Sequence, residues 1–185
     1  TAGEITSDGM LPWTITFTVP EGGYNTCEVT DMLPSINNGS VAYVDIVDIS
    51  KDITVTSSDG SPVYYDLYLA DEKDRTGLDH PNELTFVFYK DSGKTLEGFA
   101  AGNKRTITIV VNTKINEDWY AKVIENPEYF RKHENTVYVD ANGSEREASA
   151  VAYTDYNRSF KKTLKSTDKI TVDGVEYPLY KYELV

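Results

Sequence analysis

The stretch Trp13-Thr-Ile-Thr-Phe-Thr-Val19 decides the fold, because its large apolar residues alternate with threonine. Successive side chains of a β-strand point to opposite faces, so this pattern predicts a half-buried strand with its apolar residues on the core face. A turn at 20–23 follows, and in the next strand Cys27, Val29 and Asp31 share one face.

Short β-type runs with turn residues between them continue along the chain. They cover 41–49, 53–56, 63–69, 84–89, 105–115, 136–140, 146–153, 160–164 and 177–185. Asp59-Gly60 and Asn142-Gly143 are hairpin signals. Residues 117–134 differ, because a short helical pattern there is interrupted by Pro127. Together these features predict an all-β, immunoglobulin-like sandwich with a short helical insert near 117–134.

The domain organisation is predicted as one sandwich over 1–157 followed by a tail over 158–185. The tail contains two strand patterns around Asp173-Gly174 and repeats the plan of residues 1–19, a strand, a polar turn and an aromatic-rich strand. Two interpretations stay open. The tail either closes the same domain or opens the next one.

The amino-acid composition limits the kinds of partner that the chain is expected to bind. The formal net charge of −12 argues against nucleic acid and anionic membrane, and it is explained by solubility or by a cationic partner. No apolar run approaches the length of a membrane span, and no signal peptide is visible. The single cysteine excludes an internal disulfide.

Conventional catalysis finds little support in the sequence. His80 and His133 have no serine or cysteine partner in view and are expected to be surface residues, while Cys27 lies on the apolar phase of its strand. The segment 140–145 resembles a calcium loop only in part and is better explained as a tight hairpin. The chain is therefore predicted to be no enzyme and to need no cofactor or metal.

Three polar residues lie on the apolar phase of their strands. Asp31, Asn135 and Lys162 are each in phase with apolar neighbours, which predicts that a carboxyl, an amide and an amine face the core. Burial frees the lysine amine and keeps the acid protonated, so this set suits a spontaneous amide crosslink. The competing interpretation places each residue at a wet strand end with no special chemistry.

At these residues the chain resembles the immunoglobulin-like, isopeptide-forming domains of Gram-positive surface adhesins and pilin subunits. The resemblance covers most of 11–155. It lies in the Trp13–Val19 strand followed by Val29-Thr-Asp-Met-Leu-Pro34, in Lys104–Lys114, and in Glu134-Asn-Thr-Val-Tyr-Val139.

The resemblance implies an intramolecular lysine–asparagine isopeptide bond, with Asp31 at the acid and Asn135 at the asparagine. In that family the lysine lies on the strand before Trp13, where this chain reads Thr1-Ala-Gly-Glu-Ile5 without a lysine. Phe160-Lys-Lys-Thr163 resembles the family's lysine strand. Lys162 is therefore the candidate crosslink residue, in its own domain, in a following domain or in a neighbour.

The function implied is a non-enzymatic adhesin or pilus-type structural module on the cell wall of a Gram-positive bacterium. Its expected partners are neighbouring domains of the chain and a host or cell-surface protein or glycan. The alternative is an extracellular carbohydrate-binding module, because 14 tyrosines and 2 tryptophans can supply a stacking platform. A row of exposed aromatic side chains on one sheet would favour that alternative.

Overall fold

The computed structural model of the chain describes residues 1–4, 10–36, 41–42, 44–45, 49–69, 83–115, 132–153, 162–172 and 175–184. Contacts divide the chain into two units, Thr1–Thr154 and Asp155–Val185. Within the described ranges, no helix is long and apolar enough to cross a bilayer.

The described part of the first unit consists mainly of strands. Its elements are β1 Met10–Val19, β2 Cys27–Met32, β3 Ser35–Ile36, β4 Val41–Ala42, β5 Val44–Asp45, α1 Ile49–Asp52, β6 Ile53–Ser57, β7 Tyr64–Leu69, β8 Glu83–Tyr89, β9 Arg105–Ile115, β10 Lys132–Ala141 and β11 Ser144–Tyr153. The second unit contains β12 Lys162–Val172 and β13 Val175–Leu184, paired as an antiparallel hairpin.

Among the described residues of the first unit, two large antiparallel sheets face each other. One has the order β1-β9-β5, with β6 also paired to β9, and the other has the order β11-β10-β2-β8-β7. The short strands β3 and β4 pair with each other. The predicted all-β sandwich is confirmed by these two sheets and by the core between them.

The core is built by the alternation that the sequence displays. On β1, Leu11, Trp13 and Ile15 are buried, while Thr16 and Thr18 are exposed. Beside them in the same sheet, β9 contributes Ile107, Ile109 and Val111, all fully buried. Across the sandwich, the rings of Phe17 and Phe88 pack edge to face with their centroids 5.7 Å apart, so the two sheets share one core.

The indole of Trp13 is fixed by a polar contact inside this core. Its Nε1 donates to the Thr113 hydroxyl at 3.1 Å, and that hydroxyl donates to the Leu11 carbonyl at 2.8 Å. Both polar groups are thereby satisfied without water, as burial requires.

Two turn predictions had different outcomes. Asn142-Gly143 does close the β10–β11 hairpin, with both residues at positive φ as a two-residue hairpin turn requires. Asp59-Gly60 does form a turn, but the hairpin prediction was wrong, because β6 pairs with β9 and β7 pairs with β8. This connection therefore carries the chain from one sheet to the other.

The predicted boundaries of two further segments need correction. Ile49 was expected to end a strand, but it begins the short helix α1. Most of the helical insert predicted near 117–134 lies outside the described residues, which resume at Lys132. The prediction is wrong for residues 132–134, because Lys132 already begins β10. The inward alternation of β10 outweighs the weak helical pattern at that point.

A reciprocal bridge ties the β1–β2 turn to the loop that precedes β9. The Tyr24 N–H donates to the Phe99 carbonyl at 3.0 Å, and the Phe99 N–H donates to the Tyr24 carbonyl at 2.9 Å. Gly98 lies beside this bridge with φ of 93°, and a Cβ placed on it would collide with the Tyr24 carbonyl oxygen. The bridge therefore depends on the absence of a side chain.

We expect Gly98→Ala to lower the free energy of unfolding by about 3 kcal/mol, because it adds a backbone collision to the strain of a positive φ. Gly60→Ala is the matched control, since Gly60 has φ of 74° and nothing within 4 Å of an added Cβ. Gly60→Ala should lower the free energy of unfolding by about 1 kcal/mol, because only the strain of a positive φ acts on the new side chain. Urea unfolding of both variants measures the difference, and equal losses would contradict the role of the bridge.

Candidate functional site

The register of β10 against β2 brings the two predicted core polar residues together. Asp31 pairs directly with Val137, so their side chains share the inner face of the five-stranded sheet. Asn135 precedes Val137 by two residues and lies on the same face. Its position is diagonal to Asp31, and the two side chains are close enough for Asn135 to affect the pKa of the Asp31 carboxyl.

Both side chains are buried. Asp31 has 0% of its surface exposed and Asn135 has 5%. The inward orientation predicted from alternation is therefore confirmed, and the wet strand-end interpretation is wrong for these two residues. Their part in a crosslink remains a prediction.

Burial raises the pKa of the Asp31 carboxyl from 3.8 to about 7. The loss of solvation is the largest cause, and the nearby Asn135 side chain acts in the opposite direction by favouring the ionised form. Within the described part of the chain, neither Asp31 oxygen nor the Asn135 Oδ1 has a partner at ordinary hydrogen-bond geometry. The acid and the amide are therefore adjacent, dry and not fully satisfied.

His133 is the neighbour that the sequence interpretation misplaced. It was expected at the surface, but it lies two residues before Asn135 on the inward face and is fully buried. Burial lowers the pKa of its imidazole to about 4, so the ring is neutral at physiological pH. The alternation of His133, Asn135, Val137 and Val139 was the signal that could have placed it.

A groove of about 620 Å³ opens beside Asn135, between β1 of one sheet and the β10–β11 hairpin of the other. Its walls are mainly apolar or small side chains. They include Ile15 and Phe17 from β1, Val137 and Val139 from β10, and Ala148 and Ala150 from β11. Because Phe17, Val137 and Val139 belong to the inner faces yet are only half-buried, the sandwich is incompletely covered here.

The other residues singled out in the sequence have separate outcomes. Cys27 lies on the inner face of β2, is 2% exposed, and has its pKa raised to about 12, mainly by burial. Segment 140–145 forms the β10–β11 hairpin turn. His80 lies outside the described residues, and so does the side chain of Lys162, whose backbone begins β12 opposite Leu184. The described residues contain no cluster of His, Cys, Asp and Glu that could hold a metal ion.

The aromatic platform of the carbohydrate-binding alternative is not among the described side chains. Among the aromatic side chains that the structure describes, Tyr153 is the exposed one, with 68% of its surface accessible. Tyr64, Tyr68 and Tyr138 are half-buried. A single exposed ring does not form a stacking row, so this geometry gives the alternative no support.

No family model matches the chain, and no curated protein matches it. Among solved structures it is similar to the crystal structure of group B streptococcus pilus 2b backbone protein, with 17% sequence identity and a TM-score of 0.49. The match covers 83% of this chain and 56% of that one.

The unusual acid gives a pH-dependent prediction. Because the Asp31 pKa is higher in the folded chain than its ordinary value of 3.8, its neutral form stabilises the fold at low pH. That contribution is lost as pH rises from about 4 to about 7. We expect Asp31→Asn, which cannot ionise, to gain stability relative to the parent over this window, by at most about 4 kcal/mol.

Urea unfolding at several pH values measures that difference. A crosslink present in only one of the two proteins would shift the difference between their free energies of unfolding by a constant. It would leave the change of that difference with pH unaltered. Asp59→Asn is the control, because the pKa of exposed Asp59 is lowered to about 2 by hydrogen bonds from Ser61 and Ser57. Its difference from the parent should be flat between pH 4 and 7, and an equally flat Asp31→Asn curve would contradict the raised pKa.

Proposed function

We propose that this chain is a structural, non-enzymatic module of an extracellular, cell-wall-attached protein of a Gram-positive bacterium, of the adhesin or pilus type. Its defining chemistry is a self-formed isopeptide bond at Asn135, promoted by Asp31. The observation that carries the proposal is the buried pair itself, a carboxyl with its pKa raised to about 7 beside an amide whose Oδ1 has no partner among the described residues.

The pair is suited to acyl transfer. A protonated Asp31 carboxyl donates a hydrogen bond to the Asn135 Oδ1 and so polarises the amide carbonyl. A neutral lysine amine then attacks the Asn135 Cγ, a new C–N bond forms, and the bond to Nδ2 breaks. The amine proton passes by way of the Asp31 carboxyl to the departing nitrogen, which leaves as ammonia.

Burial favours every partner in this reaction. A dry site disfavours the ammonium form of a lysine and the carboxylate form of Asp31, so both tend towards the reactive neutral state. The reaction occurs once per chain and turns over no substrate. Lys162 is the amine that we assign to the bond, on the basis of the resemblance of its segment to the family's lysine strand.

Such a bond explains a mechanical role. A covalent tie between distant parts of the chain limits how far the chain extends under force. It also restricts the unfolded state in the way that a disulfide does. A surface protein that relies on this bond needs no cysteine pair, which agrees with the single buried Cys27 of this chain.

The test is the intact mass of the purified chain. We expect it to be lower than the sequence mass by about 17 Da for each bond, the mass of one ammonia. Asn135→Ala and Asp31→Asn should each restore the full mass, because one removes the acyl group and the other removes the acid. Asn112→Ala is the matched control, a half-buried asparagine of the opposite sheet, and it should keep the deficit.

Digestion followed by tandem mass spectrometry locates the two bonded residues. A full sequence mass for the parent protein would overturn the crosslink. A deficit that survives Asn135→Ala would overturn the assignment of the asparagine.

A further inference from the structure

The tip of the β10–β11 hairpin, Asn142-Gly143, has a reactivity that the proposed crosslink does not use. In an Asn-Gly step the backbone nitrogen of the glycine can attack the side-chain amide of the asparagine, because glycine has no side chain to obstruct the approach. Both residues are exposed, so water and hydroxide reach them. The same tripeptide, Asn-Gly-Ser, occurs in the sequence at 38–40, which lies outside the described residues.

Hydrogen bonds hold this hairpin tip against the segment that precedes β2. The N–H groups of Asn25 and Thr26 donate to the Asn142 Oδ1 at 2.6 and 3.3 Å. In the other direction, the Asn142 N–H donates to the Thr26 carbonyl at 3.1 Å. We refer to these bonds as the turn clamp. They fix the Asn142 amide towards residues 25 and 26.

The backbone conformation of the tip keeps the two reacting atoms apart. Asn142 has φ of 57° and Gly143 has φ of 74°, as a two-residue hairpin turn requires. A residue in this left-handed conformation has ψ of about +30 to +50°, which places the next backbone nitrogen on the side opposite its own Cβ. The Gly143 nitrogen therefore reaches the Asn142 Cγ only after the peptide unit rotates. Because that rotation breaks the turn, the turn clamp opposes it.

We propose that Asn142 is a site of spontaneous deamidation, which the turn clamp keeps closed in the folded chain and which opens when the hairpin tip leaves residues 25–26. The proposal goes beyond the proposed function and does not depend on it, because neither Asp31 nor a lysine takes part.

The reaction needs only water. The Gly143 nitrogen gives its proton to solvent and bonds to the Asn142 Cγ, while the bond from Cγ to Nδ2 breaks. The departing nitrogen takes up a proton and leaves as ammonia. Water then opens the resulting cyclic imide at either of its carbonyl groups, with no change of oxidation state.

The two products differ in their effect on the turn clamp. Opening at Cγ gives aspartate, whose carboxylate still accepts from the N–H groups of Asn25 and Thr26. Opening at the backbone carbonyl gives isoaspartate, in which the main chain passes through the side-chain carbon. The two-residue turn that pairs Ala141 with Ser144 then cannot form again. A hairpin tip that has opened is thereby modified irreversibly.

Peptide mapping by mass spectrometry at mildly alkaline pH provides the test, because deamidation adds about 1 Da whereas the proposed crosslink removes about 17 Da. In urea, Asn142 and Asn38 should react at equal rates, since their tripeptides are identical. In the folded parent chain, Asn142 should react at least about tenfold more slowly than in urea, because the tip must open first. Equal rates in the folded and unfolded chain would overturn the protection, and no reaction in urea would overturn the site.

Gly98→Ala tests the turn clamp without denaturant. A Cβ on Gly98 would collide with the carbonyl oxygens of Tyr24 and Asn25, so it displaces the segment that donates to Asn142. We expect Asn142 to deamidate several-fold faster in this variant than in the parent. Gly60→Ala is the matched control, since Gly60 also has a positive φ but nothing within 4 Å of an added Cβ, and it should keep the parent rate. Equal rates in the two variants would overturn the role of the clamp.

Ile109→Ala separates local opening of the tip from unfolding of the whole unit. Ile109 is fully buried on β9, in the other sheet, so its truncation lowers the stability of the core without touching residues 25–26. We expect Asn142 to react in this variant at nearly the parent rate. An increase as large as that in Gly98→Ala would show that the reaction follows unfolding of the whole unit, and it would overturn local release by the turn clamp.

Discussion

The pairing of β2 with β10 fixes the chemistry of the sandwich. It aligns Asp31 with Val137 and thereby sets Asn135 on the same inner face. Side chains alternate with a period of two, so a slip of one residue would turn the amide to solvent and an outward side chain into the core. The apolar residues Val29 and Val139, paired in the same register, oppose that slip because both face the core.

The polar pair is costly for a simple core. An acid and an amide buried without full hydrogen bonding destabilise a fold by about 1–3 kcal/mol each. Apolar residues of similar size would pack at this position without that cost. The surrounding structure tolerates the pair because β9 and β1 form a long, regular ladder over Met10–Val19, with Trp13, Ile109 and Val111 filling the core beside it. Strain and unsatisfied groups of this kind tend to gather where a protein carries out its chemistry.

Alternation was the most informative part of the sequence. It predicted the buried face of β1, the burial of Cys27, Val29 and Asp31 on β2, and the inward position of Asn135, because a two-residue period survives whatever the strands pair with. It could not show which strands would pair. The Asp59-Gly60 turn has the composition of a hairpin, yet it joins strands of different sheets, since pairing is decided by long-range partners.

The groove was beyond the reach of the sequence for a related reason. Whether Phe17 is covered depends on how far the opposite sheet extends past β1, and no local pattern encodes that distance. His133 was misplaced because a weak helical pattern before it concealed the start of β10. For both residues the burial of the side chain is decided by the tertiary arrangement and not by the local sequence pattern.

Cys27 lies at one end of the same β2–β10 ladder, paired across it with Ala141. Its thiol is buried, and burial raises its pKa to about 12, so little thiolate is present at neutral pH and alkylating reagents reach it poorly in the closed molecule. Modification would require the ladder to separate first. The chain thus contains a native reporter group, and the rate at which a thiol reagent reacts with it would measure how often these two strands part under load or heat.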